Sequence, residues 1–438
     1  MTPTILTFMA IDVDALPPRI ETYPQPPSLL LWSIIFVVCA VGGSTVALLI
    51  WPKRLPTGTP VFWIAVVIVP LIVAGIVTLV PFLRHAGKIR SIKSWNSQRD
   101  QVVVDVFDEE SRPIAVLGSI CRFPAEDARS PVSKVAAGDV VLVPQQTPDK
   151  SATVAARWFF APEFSIGTEP SEYDADRQRT VLFDLLPAIL DALKAQINAL
   201  PVGLPLKVAL FVDAPSFGED IREHFQSFWS DRALRAFTFD AEPTIPDLMS
   251  LDRWLDKAAG SDRDYAMLLV GVQLHDLVTQ SPPSGSSEAA IALLMVPHDV
   301  EQRHRLTASA HIHRPRQGVI ASLQQSLSLA LKWGKAKPVD IQHLWHAGFD
   351  KIGQQALLSV IRTEKIALVE GQQVSGEHNV DRLVGDAGIA ADWFALACAI
   401  DFAQSFGGPQ LVARHNEAHS VLAVARPVLR SSPLQTSL

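Results

Sequence analysis

The sequence predicts an α/β body behind an N-terminal pair of membrane-crossing helices. Three observations carry that prediction. Two uncharged, apolar runs lie near the N-terminus, at residues 29–51 and 61–83. From about residue 155, segments of strand and helix period alternate in the order βαβαβαββ, and the same order recurs from about residue 305. Several strand segments are continuously apolar, as strands covered on both faces are.

Composition limits the function classes. The chain has 438 residues, with 38 Lys and Arg against 45 Asp and Glu, a net charge of −7. Nucleic acid is therefore not an expected partner, because phosphate binding needs a dense basic face. Hydrophobic residues make up 48 % and charged residues only 19 %, a balance that points to part of the chain lying in a bilayer. Three cysteines make no disulfide framework and suit a reducing compartment.

The N-terminal tail, 1–28, is acidic and rich in proline, unlike a cleaved leader. Each of the two runs that follow has 23 residues. As helices they span about 35 Å, enough for a hydrocarbon core of about 30 Å. Trp32, Trp51 and Trp63 lie near their ends, where indoles favour the headgroup level. The short link at 52–60 imposes a hairpin (29–83), Pro70 is expected to kink the second helix, and Gly42 with Gly43 offers a small packing face. Neither run contains an ionisable residue, so no ion path is expected. Lys53 and Arg54 mark one side; Arg19, Arg84, Lys88, Arg90 and Lys93 mark the other. That bias predicts a two-helix inner-membrane protein with its large C-terminal part in the cytoplasm.

Residues 84–150 read as a basic juxtamembrane segment and a small β-rich region: Val102, Val104 and Val106 alternate, residues 113–123 are extended, and 140–144 form a short strand. The first βαβαβαββ pass, within 151–300, has strands at 157–161, 207–212, 236–240, 265–272 and 289–296, and helices at 180–200, 220–229 and 247–259. The second, within 301–428, has strands at 306–314, 341–347, 382–384, 410–414 and 420–425, and helices at 318–333, 351–362 and 390–406. Residues 429–438 form a tail.

Local wording extends the pattern. The stretches DYAMLLVG at 264–271 and SGSSEAAIALLMV at 284–296 resemble the end of the first half of β-ketoacyl synthases. VGDAGIAADWFALACAI at 384–400 resembles the glycine- and alanine-rich turn that enters the last helix of their second half. The resemblance implies a thiolase-like fold over roughly residues 155–427: two related halves, two stacked five-stranded sheets, helices between and outside.

It also implies where chemistry belongs. In the family a cysteine opens the third helix of the first half, where a helix N-terminus supports the thiolate. This chain reads Asp240-Ala241-Glu242-Pro243-Thr244-Ile245-Pro246-Asp247 there, without a cysteine. Of the two family histidines, His346 in His346-Ala347-Gly348-Phe349-Asp350 matches the first, without its threonines, and Asp386 stands at the second. His346 and Asp386 are therefore vestigial positions, and no catalytic set is expected. Cys39 lies within the first run, Cys121 in the β-rich region outside the repeat, and Cys398 in the middle of an apolar helix. His311 and His313, two apart on a strand, suggest a zinc pair, but no third ligand is marked nearby. His343 and His346, three apart, face opposite sides of a strand. No phosphate loop, dinucleotide fingerprint or nucleophile elbow is present, so neither a cofactor nor a metal is expected.

The layout is similar to that of membrane-anchored accessory proteins of type VI secretion. That likeness implies a non-catalytic adaptor or chaperone whose partner is a secreted lipase-type effector or a spike component. An acyl-processing enzyme with a remodelled ketosynthase-like site, and an immunity protein, are the alternatives. The lipid bilayer is an expected partner, and a homodimer is expected because thiolase-like domains often dimerise.

Overall fold

The computed structural model describes residues 18–52, 55–124, 131–165, 167–240, 245–256, 264–371, 375–416 and 418–428. Contacts divide the chain into two units, Met1–Asp108 and Glu109–Leu438. Lys53, Arg54, residues 241–244 with Glu242, residues 1–17 of the N-terminal tail and the tail at 429–438 lie outside the described residues.

In the first unit, α1 (Leu29–Ile50) is capped by Ser28 and enters a link that leads to α2 (Pro60–Trp63). A π-helical turn, Ile64–Ile68, joins α2 to the long helix α3 (Val69–Glu110). The π turn falls where Pro70 would break the ladder, since proline offers no N–H to the carbonyl four residues back. The helix widens at the turn before Pro70. α1 packs on this widened segment, and a Cβ at Gly43 would lie 3.0 Å from Pro70 Cβ, so the helices meet most closely there. Of the two glycines, Gly43 makes the approach; Gly42 faces open space. Beyond the apolar part of α3, Asn96 Oδ1 accepts from Ile20 N at 3.1 Å and Asn96 Nδ2 donates to Ile20 O at 3.0 Å. The segment before α1 therefore runs beside the helix after the second apolar run, as a hairpin requires.

α3 carries a correction. Residues 101–110, read as strand and turn, continue the helix. A helix already formed over many turns extends at little cost, and this outweighs the β preference of the valines.

The second unit is mixed α/β. Its first half runs β1 (Ile114–Arg122), α4 (Pro131–Ala137), β2 (Pro144–Gln146), β3 (Thr153–Ala155), α5 (Pro170–Asn198), β4 (Leu206–Asp213), α6 (Ile221–Asp231), β5 (Thr238–Phe239), α7 (Met249–Asp256), β6 (Ala266–Gln273) and β7 (Ala289–Pro297). The connecting helix α8 (His298–His304) leads to the second half. That half runs β8 (Ala310–Ile312), β9 (Arg316–Gly318), α9 (Leu323–Trp333), β10 (His343–Ala347), α10 (Lys351–Thr363), β11 (Glu377–Asn379), α11 (Val380–Leu383), α12 (Ala391–Phe406), β12 (Gln410–Asn416) and β13 (His419–Pro427).

The order along the sheet is β5-β4-β6-β7-β1 and then β8-β13-β12-β10-β11, with β9 added to β13. With β2 and β3, which form a separate small sheet, and β9 left out, the five strands of each half numbered by rank have the same order, 3-2-4-5-1. The fifth strand is antiparallel to its neighbours in each, and the second strand is parallel to the third and fourth. The duplicated pattern is therefore present in the strand pairing itself. The halves share one continuous sheet through β1 and β8, where Ile114, Ala115 and Val116 face Ile312, His311 and Ala310, and are not two separate sheets.

Two strand assignments change. The opening strand of the first half is β1, from the region read as a separate β-rich segment, while residues 157–161 contribute only the isolated bridge of Arg157 to Ser287. In the second half, residues 382–384 end a short helix, and the third strand is the polar β11.

Strand alternation sorts the core. On β7, Ala289, Ile291, Leu293 and Met295 face a central cluster, and Ala290, Ala292, Leu294 and Val296 face α5 and α6. On β13, Val421 and Ala425 face the same central cluster, and Leu422 and Val424 face α9 and α10. α12 and α7 fill the central layer, so helices lie between and outside the sheet halves.

A buried ion pair ties α5 to the strand ends. Arg177 Nη2 lies 2.6 Å from Glu288 Oε1, both side chains fully buried, and Glu288 also accepts from Phe159 N at 2.8 Å and His275 N at 2.9 Å. Asp174, one turn earlier on α5, accepts from Leu277 N at 2.9 Å and Thr279 N at 2.7 Å. Glu288→Ala leaves the guanidinium buried alone and is expected to cost about 3–5 kcal/mol in urea unfolding followed by tryptophan fluorescence. Adding Arg177→Met should return part of that loss, because no charge then stays buried unpaired.

Candidate functional site

Two of the three stretches that carry the ketosynthase resemblance, 284–296 and 384–400, lie against each other. Ser287 N donates to Asp386 O and Asp386 N donates to Gly285 O, both at 2.8 Å. Gly385 makes this approach feasible: its φ is +117°, and a Cβ there would lie 2.7 Å from Ser286 O. Gln273, at the end of β6, holds the turn from the other side. Its Oε1 accepts from Ile389 N at 3.0 Å while its Nε2 donates to Asp213 Oδ2 at 2.8 Å. The turn into α12 is thus fixed to the first half by main-chain and amide bonds.

The N-terminus of α12 completes this junction. Trp393 Nε1 donates to Pro246 O at 2.6 Å, in the segment 240–247 that enters α7. Arg414 of β12 donates through Nε to Asp392 Oδ1 at 2.8 Å. Asp247 accepts from Ser250 Oγ at 3.1 Å and from Arg253 Nη2 at 3.2 Å.

His346 is fully buried on β10, its Nε2 3.1 Å from Glu377 Oε1 of β11. Glu377 also accepts from Gln354 Nε2 at 2.7 Å. The His346 hydrogen bond is the main cause that holds the Glu377 carboxyl below its usual range. Nδ1 of His346 has no hydrogen-bond partner among the described residues. Asp386 is exposed, by contrast, and engages mainly through its backbone. His346 and Asp386 share a neighbour, Asp381, whose carboxyl burial pushes upward against the amide of Gly348 and the charge of Arg414. Glu377 and Asp381 were not legible as site residues, because neither belongs to a motif.

His343, as strand alternation requires, faces away from His346. Its Nδ1 lies 3.1 Å from His378 Nε2, and the His378 ring stacks on Trp345 at 4.1 Å. His311 and His313 do not form a zinc pair. His311 Nε2 lies 2.8 Å from Glu301 Oε2, whereas His313 is buried near Arg426 and hydrogen-bonds the Ser111 backbone. Burial followed by the charge of Arg426 lowers the His313 pKa to about 3.

The cysteines are also placed. Cys39 lies in α1. Cys121, assigned by sequence to a segment outside the repeat, belongs to β1, and its Sγ is 3.5 Å from Cys398 Sγ in the interior of α12. Burial pushes the Cys121 thiol up, and the Cys398 hydrogen bond adds to the shift. All three cysteines of the chain are thus accounted for, and none stands at a helix N-terminus.

No family model matches the sequence, and no curated protein matches it. Among solved structures the chain is similar to ketosynthases. One is a type II polyketide ketosynthase bound to its acyl-carrier protein, the AntDE:AntF complex: 10 % identity, TM-score 0.49, covering 72 % of this chain and 99 % of that one. A second is the ketosynthase from module 6 of the bacillaene synthase of Bacillus subtilis 168: 14 % identity, TM-score 0.49, covering 73 % and 71 %. A third is the ishigamide ketosynthase/chain length factor: 16 % identity, TM-score 0.47, covering 72 % and 100 %.

The buried imidazoles set a pH dependence. Burial, with the charges of His343 and His346 adding, lowers the His378 pKa from 6.5 to about 3. The folded chain holds this ring neutral while the unfolded chain lets it charge. Stability is therefore full above pH 6.5 and falls as pH drops from there toward 3. The free energy of unfolding, measured across that range, should fall less steeply for His378→Phe than for the parent chain.

Proposed function

We propose that the chain is a membrane-anchored, thiolase-like scaffold that binds a protein and does not turn over acyl groups. The placement of the thiols carries this reading. Claisen-type condensation needs a thiolate poised beside an imidazole, and the cysteines instead lie in an apolar helix or against each other. His346, bonded to Glu377 and fully buried, offers substrate no access to its ring. The shared 3-2-4-5-1 order of the two halves supports the thiolase-like assignment.

The anchor is the other support. Leu29–Ile50 and Pro60–Asp105 are long and apolar enough to cross a membrane. Gly388–Phe406 meets the same criterion but is largely enclosed by strands, which makes it a core helix. In this reading the two N-terminal helices cross the inner membrane, the second unit lies in the cytoplasm, and the partner is a secreted lipase-type effector of a type VI machine. Tethering raises the local concentration of scaffold and cargo near the secretion spike.

Affinity purification of the full chain in detergent from its native cells, followed by mass spectrometry, should recover such an effector. The same preparation should show no turnover of acyl-CoA or acyl-carrier substrates. Acyl turnover that His346→Ala abolishes would overturn the scaffold reading. A C-terminal fluorescent-protein fusion is expected to fluoresce and a C-terminal alkaline phosphatase fusion to be inactive; the reverse would place the body on the other side.

A further inference from the structure

We infer that His298, Glu301 and His311 form a binding site for one divalent transition-metal ion, with zinc the ion their chemistry suits best. His298 and Glu301 are three apart on α8 and share one face of its turn. Arg305 ends α8 in a left-handed conformation, φ 52°, and Leu306 N donates back to Glu301 O at 2.9 Å. This return brings β8, with His311, alongside the helix.

The three donor atoms converge. Glu301 Oε2 lies 2.6 Å from His298 Nδ1 and 2.8 Å from His311 Nε2, and all three atoms are within 4.8 Å of one another. Two imidazoles and one carboxylate make a zinc ligand set that leaves a coordination position for water. Nitrogen donors also favour zinc over magnesium or calcium. Zinc bonds of about 2.0–2.2 Å place tetrahedral ligands roughly 3.3 Å apart, so the cluster needs to open by about half an ångström. Side-chain exposures of 25 % for His298, 22 % for His311 and 11 % for Glu301 give an ion a path from solvent.

The surroundings fit. Metal-bound imidazole needs its other ring nitrogen to donate to an acceptor. Gln302 provides one for His298: its amide lies 2.8 Å from His298 Nε2, and a turn of that amide presents its oxygen. Nearby cations are engaged elsewhere. Arg426 faces His311 in register, yet its Nη1 donates to Gly334 O and Lys335 O. Arg303 pairs with Asp264 and Asp299. The site ties the segment between the halves to the strand that opens the second half, and it does not depend on the scaffold reading.

The test uses untagged full chain in detergent, stripped with a chelator and titrated with Zn2+ by calorimetry, with Co2+ as a spectroscopic probe. One zinc ion per chain is expected, with a tetrahedral Co2+ absorption band and no comparable Mg2+ binding. His311→Ala and His298→Gln should each weaken zinc at least tenfold, Glu301→Gln likewise, while His304→Ala, on the same helix but outside the cluster, leaves affinity unchanged. Absence of zinc binding by the parent chain overturns the assignment, as does binding that survives both His311→Ala and Glu301→Gln in folded protein checked by circular dichroism.

Discussion

The second unit is organised around a helix that has no polar face to give to water. From Ala391 to Ala403, α12 buries residues on every side, including Trp393, Phe394, Leu396, Ile400 and Phe402. Such a helix persists only where apolar surface surrounds it. Here β1 and β7 cover it from the first half, and β10, β12 and β13 cover it from the second. The alanines between the large side chains allow the strands to come close. Neither half encloses α12 alone, so its burial commits the chain to fold as a pair of halves.

That commitment explains the polar hardware around the junction. A turn delivering α12 into the central layer has to be held in place while its main-chain groups remain bonded. The Gly285, Ser287 and Asp386 main-chain bonds and the Gln273 side chain do both. Next to Ser287, Glu288 is held to α5 by Arg177 in a charge pair that burial makes obligatory. The residues of this turn and of the strand ends beside it are thus those that carry the assembly of the two halves.

The sequence made the repeat legible because its strongest strands, β6 and β7, are unbroken apolar runs, and because α12 is too long and apolar to be a loop. It hid β1, whose partners β7 and β8 lie far along the chain, so that only tertiary pairing reveals its rank. Residues 157–161 look like a strand locally, but β1 already occupies that place in the sheet. β11 was misplaced for a related reason: Glu377 and His378 are polar, and the half-buried carboxylate and buried imidazole are sustained by His346, His343 and Trp345, which no local pattern announces. At the sites, the helical spacing of His298 and Glu301 was visible in principle, but the approach of His311 depends on the turn after α8. The proximity of Cys121 to Cys398 depends on β1 being in the sheet at all.

The seam between β1 and β8 has a further meaning. It pairs the equivalent strands of the two halves antiparallel, Ile114 with Ile312 and Val116 with Ala310. Antiparallel pairing of like with like is what a two-fold axis produces, the geometry of an isologous contact between identical subunits. Within one polypeptide the seam thus has the pairing geometry of a symmetric dimer contact, with the two halves joined by the α8 connection.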